Sequence, residues 1–194
     1  MKKLLITGFD PFGANTVNPS WLAVEALPEQ VGEFRLRKCM LPTVFGEAAR
    51  RVLEEAAIWE PDVILCIGLA AGRSAVTPER IGVNIRDARI PDNAGHQATG
   101  ERIAADGPAA YFATVPVEKM AQFIRDAGVP GAVSNTAGAF VCNDTLYSLL
   151  HRYNGTATRV GFIHIPTLPE QAQTGLPLDR IVTALTAAIR ACEA

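Results

Sequence analysis

The sequence predicts a three-layer α/β/α sandwich on a largely parallel sheet, with a mixed edge allowed, forming one domain over 1–194. Three observations predict it. Short apolar runs alternate with longer amphipathic stretches along the chain, the strand–helix rhythm that buries a sheet between two helical layers. Two of those runs, 62–67 (AspValIleLeuCysIle) and 159–165 (ArgValGlyPheIleHisIle), are nearly continuous rather than alternating, as strands covered on both faces are. A length of 194 residues has room for one core of this kind, and no internal repeat suggests a second.

Leu4, Leu5 and Ile6 form the first strand, which runs into a turn-rich loop, GlyPheAspProPheGly, at 8–13. Asn18 followed by Pro19 supplies an N-cap and an N1 proline for a helix over 19–27. A strand over 34–41 is closed by Pro42. Thr43 then reads as an N-cap for a helix running to Trp59, with Val52, Leu53, Ala56 and Ala57 as its apolar face. After the strand at 62–67 the stretch 68–106 breaks the rhythm: it is rich in Gly, Arg, Asp and Pro, holds one strand at 81–85, and is too long for a plain connector. A helix over 117–127, a short strand at 131–134, a loop at 135–139 and a helix over 142–153 follow. The strand 159–165, a loop at 166–177 and an amphipathic helix over 178–192 complete the chain.

Lys and Arg number 18 against 20 Asp and Glu, a net charge of -2, and neither sign forms a long run. Nucleic acid and anionic membrane surfaces are therefore not expected partners, since both call for a basic face. No apolar stretch reaches the roughly 18 to 20 residues of a membrane span, and MetLysLys leads into LeuLeuIleThrGly rather than a signal-peptide core, so a cytoplasmic address is expected. The four cysteines, Cys39, Cys66, Cys142 and Cys192, are scattered without a CxxC pair, which suits free thiols in a reducing compartment.

Cys142 is the strongest nucleophile candidate. It sits where the small-residue loop of SerAsnThrAlaGlyAlaPheValCysAsn gives way to a helix, and a helix N-terminus favours thiolate. Cys39 and Cys66 lie inside strands, where a cysteine is a small hydrophobe, and Cys192 lies in a frayed C-terminus. Of the histidines, His164 ends a buried strand, the place where open α/β sheets gather their ligands. His151 belongs to a helix surface and His96 to a solvated loop. A Cys/His pair needs a third group to orient the imidazole. Glu79 in the irregular segment and Asp10 in the first loop both qualify, and composition does not choose between them. The surrounding charges Arg73, Arg80, Arg86, Asp87, Arg89 and Asp92 read as a solvated loop or a salt-bridge network. Glycines after two strands, Gly8 and Gly13, Gly68 and Gly72, admit a nucleoside- or phosphate-handling enzyme as the alternative, but neither set fits GxGxxG and no GxxxxGK[ST] occurs.

The motifs GlyPheAspProPheGly (8–13), AsnProSer (18–20), ProThrValPhe (42–45), ThrProGluArg (77–80), AspAlaArgIleProAspAsn (87–93), SerAsnThrAlaGlyAlaPheValCysAsn (134–143), GlyPheIleHisIlePro (161–166) and ProGluGln (169–171) resemble, in register and over nearly the whole chain, the pyroglutamyl peptidases. These are cysteine peptidases that remove an N-terminal pyroglutamyl residue. The resemblance implies Cys142 as nucleophile, His164 as base and Glu79 as the acidic member. It implies Arg89 on the oxyanion side and a pyroglutamyl pocket of Phe9, Phe12, Thr43, Ile90, Phe140 and Val141. It further implies no metal or organic cofactor, peptides with N-terminal pyroglutamate as substrates, and a homotetramer. A non-catalytic pyroglutamyl-binding relative is a further alternative. One departure stands out: GlyLeuAlaAlaGlyArg at 68–73 replaces the GlyGlnAlaGlyGlyArg expected of some members. Contacts through backbone would survive there, and contacts through a glutamine side chain would not.

Overall fold

In a computed structural model describing residues 1–13 and 16–193, the first strand, β1 (Lys2–Phe9), lies near the middle of the main sheet. It is followed by α1 (Pro19–Ala26), the short β2 (Gln30–Val31), β3 (Phe34–Leu41), α2 (Glu47–Trp59) and β4 (Val63–Leu69). The irregular segment contributes β5 (Thr77–Pro78), β6 (Ile81–Val83) and β7 (Ala110–Phe112), and the chain closes with α3 (Val117–Asp126), α4 (Val141–Arg152), β8 (Arg159–Ile165) and α5 (Leu178–Arg190). The six-stranded sheet runs β2-β3-β1-β4-β8-β5, while β6 and β7 form a separate antiparallel pair. Strands β3, β1, β4 and β8 are mutually parallel, and the two outer strands β2 and β5 are antiparallel to their neighbours.

Both faces of the parallel strands are buried, which is why their sequences do not alternate. Leu4, Ile6, Leu65, Ile67 and Ile163 face α1, α3 and α5 through Val24, Met120, Ile124, Leu185 and Ile189. Leu5, Ile64, Cys66 and Phe162 face α2 and α4 through Val52, Ala56, Leu146 and Leu149. Each fully enclosed Leu, Ile or Phe contributes roughly 1.5–3 kcal/mol by leaving water, so the two interfaces hold the three layers together.

Several boundaries differ from the sequence expectation. Asn18 does cap α1, its side chain accepting from the Ser20 N–H at 3.0 Å. Thr43 is not the cap of α2; that position falls to Gly46, whose φ of 74° suits a residue without a Cβ. Thr43 instead donates its N–H and hydroxyl to Asp10 Oδ1 at 2.8 and 2.7 Å. Residues 131–134 form no strand of their own but lie parallel to 76–80 through the isolated bridges Val76–Gly131 and Glu79–Ser134. Cys192 does not lie in a frayed segment: a 3₁₀ turn, Ala191–Glu193, follows α5, and Cys192 is fully buried because it continues the apolar stripe of Leu185 and Ile189.

Candidate active site

The four parallel strands point their carboxyl ends to one side of the sheet, where ligands gather in folds of this type. There the end of β1 supplies Phe9, the loops that follow it and β3 supply Phe12 and Thr43, the end of β4 supplies Leu69, and the start of α4 supplies Phe140 and Cys142. Together with Val17, Asn18 and Ala71 these residues enclose a cavity of about 310 Å³ with mainly apolar walls. Phe140 is braced by Phe12 at 5.2 Å and by Phe45, edge to face, at 5.1 Å between ring centroids.

His164, near the end of β8, is the register partner of Gly68 in β4 and of Thr77 in β5. A Cβ on Gly68 would stand 3.0 Å from Cys142 Sγ and 2.7 Å from the Phe162 ring. The missing side chain therefore admits the thiol to the strand ends beside the imidazole, and close approach rather than phosphate binding explains this glycine. Glu79 follows β5 and is fully buried, its N–H bonded to the Phe162 carbonyl at 2.8 Å. Its Oε1 lies 2.7 Å from His164 Nδ1. A carboxylate partner assigns the proton to Nδ1 and leaves Nε2 free to accept. No hydrogen bond joins the sulfur to the ring, whose Nδ1 is engaged by Glu79.

The electrostatics revise one expectation. Burial, reinforced by the charge of Glu79, pushes the Cys142 thiol up to about 12, against the smaller downward pull of Arg73 and of its own backbone N–H. The side chain is nonetheless only partly enclosed and lines the cavity. Exposure, not a lowered thiol pKa, separates it from Cys66, which burial also pushes to about 12 but which solvent does not reach. Burial lowers the His164 pKa more than Glu79 raises it, so its resting ring is neutral. Burial acts to raise the Glu79 carboxyl, but the hydrogen bond and charge of His164, with help from Ser134 and Arg73, hold it below the ordinary carboxylate value.

The structure thus joins His164 to Glu79 and gathers Cys142, Phe9, Phe12, Thr43 and Phe140 around one cavity. Three residues fall elsewhere. Arg89 and Ile90 are exposed and line an adjoining cavity of about 610 Å³ that shares Phe140. Their loop is held by Asp92, which accepts from the N–H groups of Phe45, Ala94 and His96, and by Asn93, whose N–H donates to the Thr43 carbonyl at 3.0 Å beside the first cavity. Val141 is fully buried against the core as the first residue of α4, leaving only its backbone at the site. Asp10, the other candidate for orienting the imidazole, is occupied by Thr43 and Asn93. His96 pairs with Glu101 at 3.1 Å on the surface, and His151 bonds Tyr111 at 3.0 Å.

Sequence reasoning did not single out Leu69, Ala71, Val17 and Asn18 as cavity lining. For Leu69 and Ala71 the available signal was their place just past an apolar strand. Arg73, read only as one charge among many, donates to Glu79 Oε1 at 2.7 Å.

Comparison with known proteins places the chain among the hydrolases, and within that class among the peptidases. Residues 2–194 match the family described as pyroglutamyl peptidase, and the chain belongs to that family. It is 50% identical over 196 residues to the pyrrolidone-carboxylate peptidase of Levilactobacillus brevis, with 97% of this chain and 96% of the relative covered. It is 47% identical to that of Bacillus licheniformis, covering 95% and 89%. The crystal structure of Bacillus amyloliquefaciens pyroglutamyl peptidase I superposes with a TM-score of 0.94 at 44% identity, covering 99% of this chain and 97% of that one. The pyrrolidone carboxyl peptidase of Thermococcus litoralis gives the same TM-score at 35% identity, covering 99% and 93%. The family match decides against the nucleoside- or phosphate-handling alternative.

Proposed function

We propose that the protein removes N-terminal pyroglutamate from peptides through a Cys142–His164–Glu79 triad and an acyl-enzyme. The observation that carries this reading is the 2.7 Å bond between His164 and the buried Glu79 at the end of the sheet that also receives Cys142. Pyroglutamate has its amine closed into a lactam, so its pocket needs apolar walls rather than a carboxylate for a free ammonium group. The rings of Phe9, Phe12 and Phe140 meet that need.

In the reaction the Cys142 proton passes to His164 Nε2 as sulfur attacks the carbonyl joining pyroglutamate to the next residue. Because the resting thiol is neutral, this transfer accompanies substrate binding rather than preceding it. The carbonyl becomes an oxyanion at the start of α4, where the first backbone N–H groups have no intrahelical acceptor and no side chain caps the helix. One such donor contributes roughly 3 kcal/mol in comparable hydrolases. Val141 and Cys142 supply these N–H groups, and the family resemblance assigns Arg89 to the same charge. The C–N bond then breaks, His164 protonates the leaving amine, and a thioester remains. Water, deprotonated by His164, releases pyroglutamate and restores the thiol. Glu79 holds the imidazole in its Nδ1–H form and stabilises the imidazolium in both halves.

The test is release of a fluorophore from a pyroglutamyl amide but not from the corresponding glutamyl or prolyl amide, abolished in C142A and by thiol alkylation. Turnover unchanged in C142A, or lost to chelators but not to alkylation, refutes the reading. A non-catalytic binding relative would hold pyroglutamyl peptides without turning them over. A homotetramer in the cytoplasm belongs to the same proposal on family resemblance, and light scattering tests the assembly.

A further inference from the structure

Arg73 lies in the loop after β4, outside the cavity lining, yet its guanidinium reaches three acceptors on two segments, the β5 stretch and the loop before α4. One terminal nitrogen donates to Glu79 Oε1 at 2.7 Å and to Thr77 Oγ1 at 2.5 Å; the other donates to the Thr136 carbonyl at 3.0 Å. Glu79 Oε1 is the same oxygen that meets His164 Nδ1. Glu79 Oε2 is buried with no hydrogen-bond partner among the described residues, so the carboxylate is held through one oxygen shared by a cation and an imidazole. Thr77 extends the arrangement, its hydroxyl donating to the His164 carbonyl at 3.3 Å. Thr136 belongs to the loop that leads into α4 and Cys142.

We infer that Arg73 is a positioning residue for the reaction proposed above: it fixes the Glu79 carboxylate against His164 and ties that pair to the loop carrying the nucleophile. The planar fork of arginine is needed because one nitrogen serves Glu79 and Thr77 while the other reaches Thr136 on a second segment, a span that the single ammonium of lysine does not cover. The charge also matters. The charged groups that act on His164 are Glu79 after β5 and Arg73 itself, and the titratable Cys142 comes from α4 with its sulfur against Gly68, the register partner of His164. A positive group on the shared oxygen draws charge away from the imidazole side, so the ring stays neutral and able to take the thiol proton. Without it, Glu79 Oε1 is left to His164 and the ring binds a proton more readily.

The inference rests on the triad reading, and the experiment separates the two. Wild type, R73M, R73K and a surface control, R50M, are compared in kcat and KM across pH on a pyroglutamyl amide, and the His164 imidazole is titrated by NMR in the same proteins. The expected result for R73M is kcat down about 100-fold with KM nearly unchanged, and both the acid limb of kcat/KM and the His164 titration moved up by about one pH unit. R73K keeps the charge and loses the fork, so its kcat falls while its His164 titration stays near wild type; it carries the test if R73M does not fold. R50M, whose exposed side chain pairs with Glu47 and Glu54 of its own helix, behaves as wild type. If R73M folds and shows the wild-type His164 titration, or R73K matches wild type in kcat, the inference is overturned. If wild type itself does not turn over the amide, the functional reading fails and the NMR titration alone decides the role of Arg73.

Discussion

Glu79 Oε1 and His164 Nδ1 stand 2.7 Å apart across 85 positions of sequence, with the carboxylate fully buried. A hydrogen bond of this kind fixes both the tilt of the ring and its tautomer. E79Q keeps the side-chain shape but offers an amide that can present either end to the ring. We expect kcat to fall by at least about 100-fold, with E79D less affected, in steady-state assays on a pyroglutamyl amide.

Alkylation should report the protonation state of the nucleophile. With the Cys142 thiol pushed up to about 12, its rate of reaction with iodoacetamide rises with pH through pH 9 instead of levelling off near neutrality. Modification stays selective for Cys142 because Cys66 is buried, and peptide mapping of the alkylated protein checks this. A rate constant flat from pH 6 upward would show a preformed thiolate–imidazolium pair.

Acid should weaken the fold in two windows of the same sign. His164 has a lowered pKa in the folded protein, so below its unfolded value of about 6.5 the unfolded chain takes the proton first and stability drops. Glu79 also has a lowered pKa, so its contribution is complete above its unfolded value and disappears as pH falls through the folded one. Thermal unfolding followed from pH 8 to 3 should show a falling Tm, with the decline that begins near pH 6.5 flattened in H164N.

Gly68 tests the close approach of nucleophile and sheet. In G68A the added methyl would stand 2.7 Å from the Phe162 ring and 3.0 Å from Cys142 Sγ, so one of them must move. A loss of roughly 1–3 kcal/mol in denaturant-measured stability is expected, together with lower kcat. Wild-type stability and activity in this variant would show that the strand ends have slack.

Phe140 tests the pocket. Removing its ring in F140A deletes the wall braced by Phe12 and Phe45, and KM for a pyroglutamyl amide should rise about tenfold, consistent with roughly 1.4 kcal/mol for one aromatic contact.

Much of this arrangement is legible in the sequence because its strands are locally strong. Runs such as Val63–Leu69 and Arg159–Ile165 announce buried strands from composition alone, and the helix after Phe140 announces a cysteine at its start. The acidic partner was not legible from its neighbours. Glu79 follows a strand of two residues, one of them proline, whose pairing exists only because β8 lies beside it. Arg73 was hidden for the same reason: its acceptors are defined by tertiary placement, and a charged loop looks alike whether it is solvated or clamped. The thiol misled in another way, since the helix N-terminus was visible and the enclosing walls were not. Thr43 read as a cap because threonine caps often, but Asp10 claims its hydroxyl.

Residues 131–134 run beside 76–80 and then continue toward α4. The amide of Val76 bonds Pro130, that of Ala132 bonds Val76, that of Ser134 bonds Pro78, and that of Arg80 bonds Ser134. Through these bonds the acidic member and the nucleophile ride on one ribbon, although they stand 63 positions apart in the sequence. The amides of Val76, Arg80, Ala132 and Ser134 should therefore exchange with deuterium as one opening unit, and a perturbation that loosens either end should dismantle the site before the parallel strands give way.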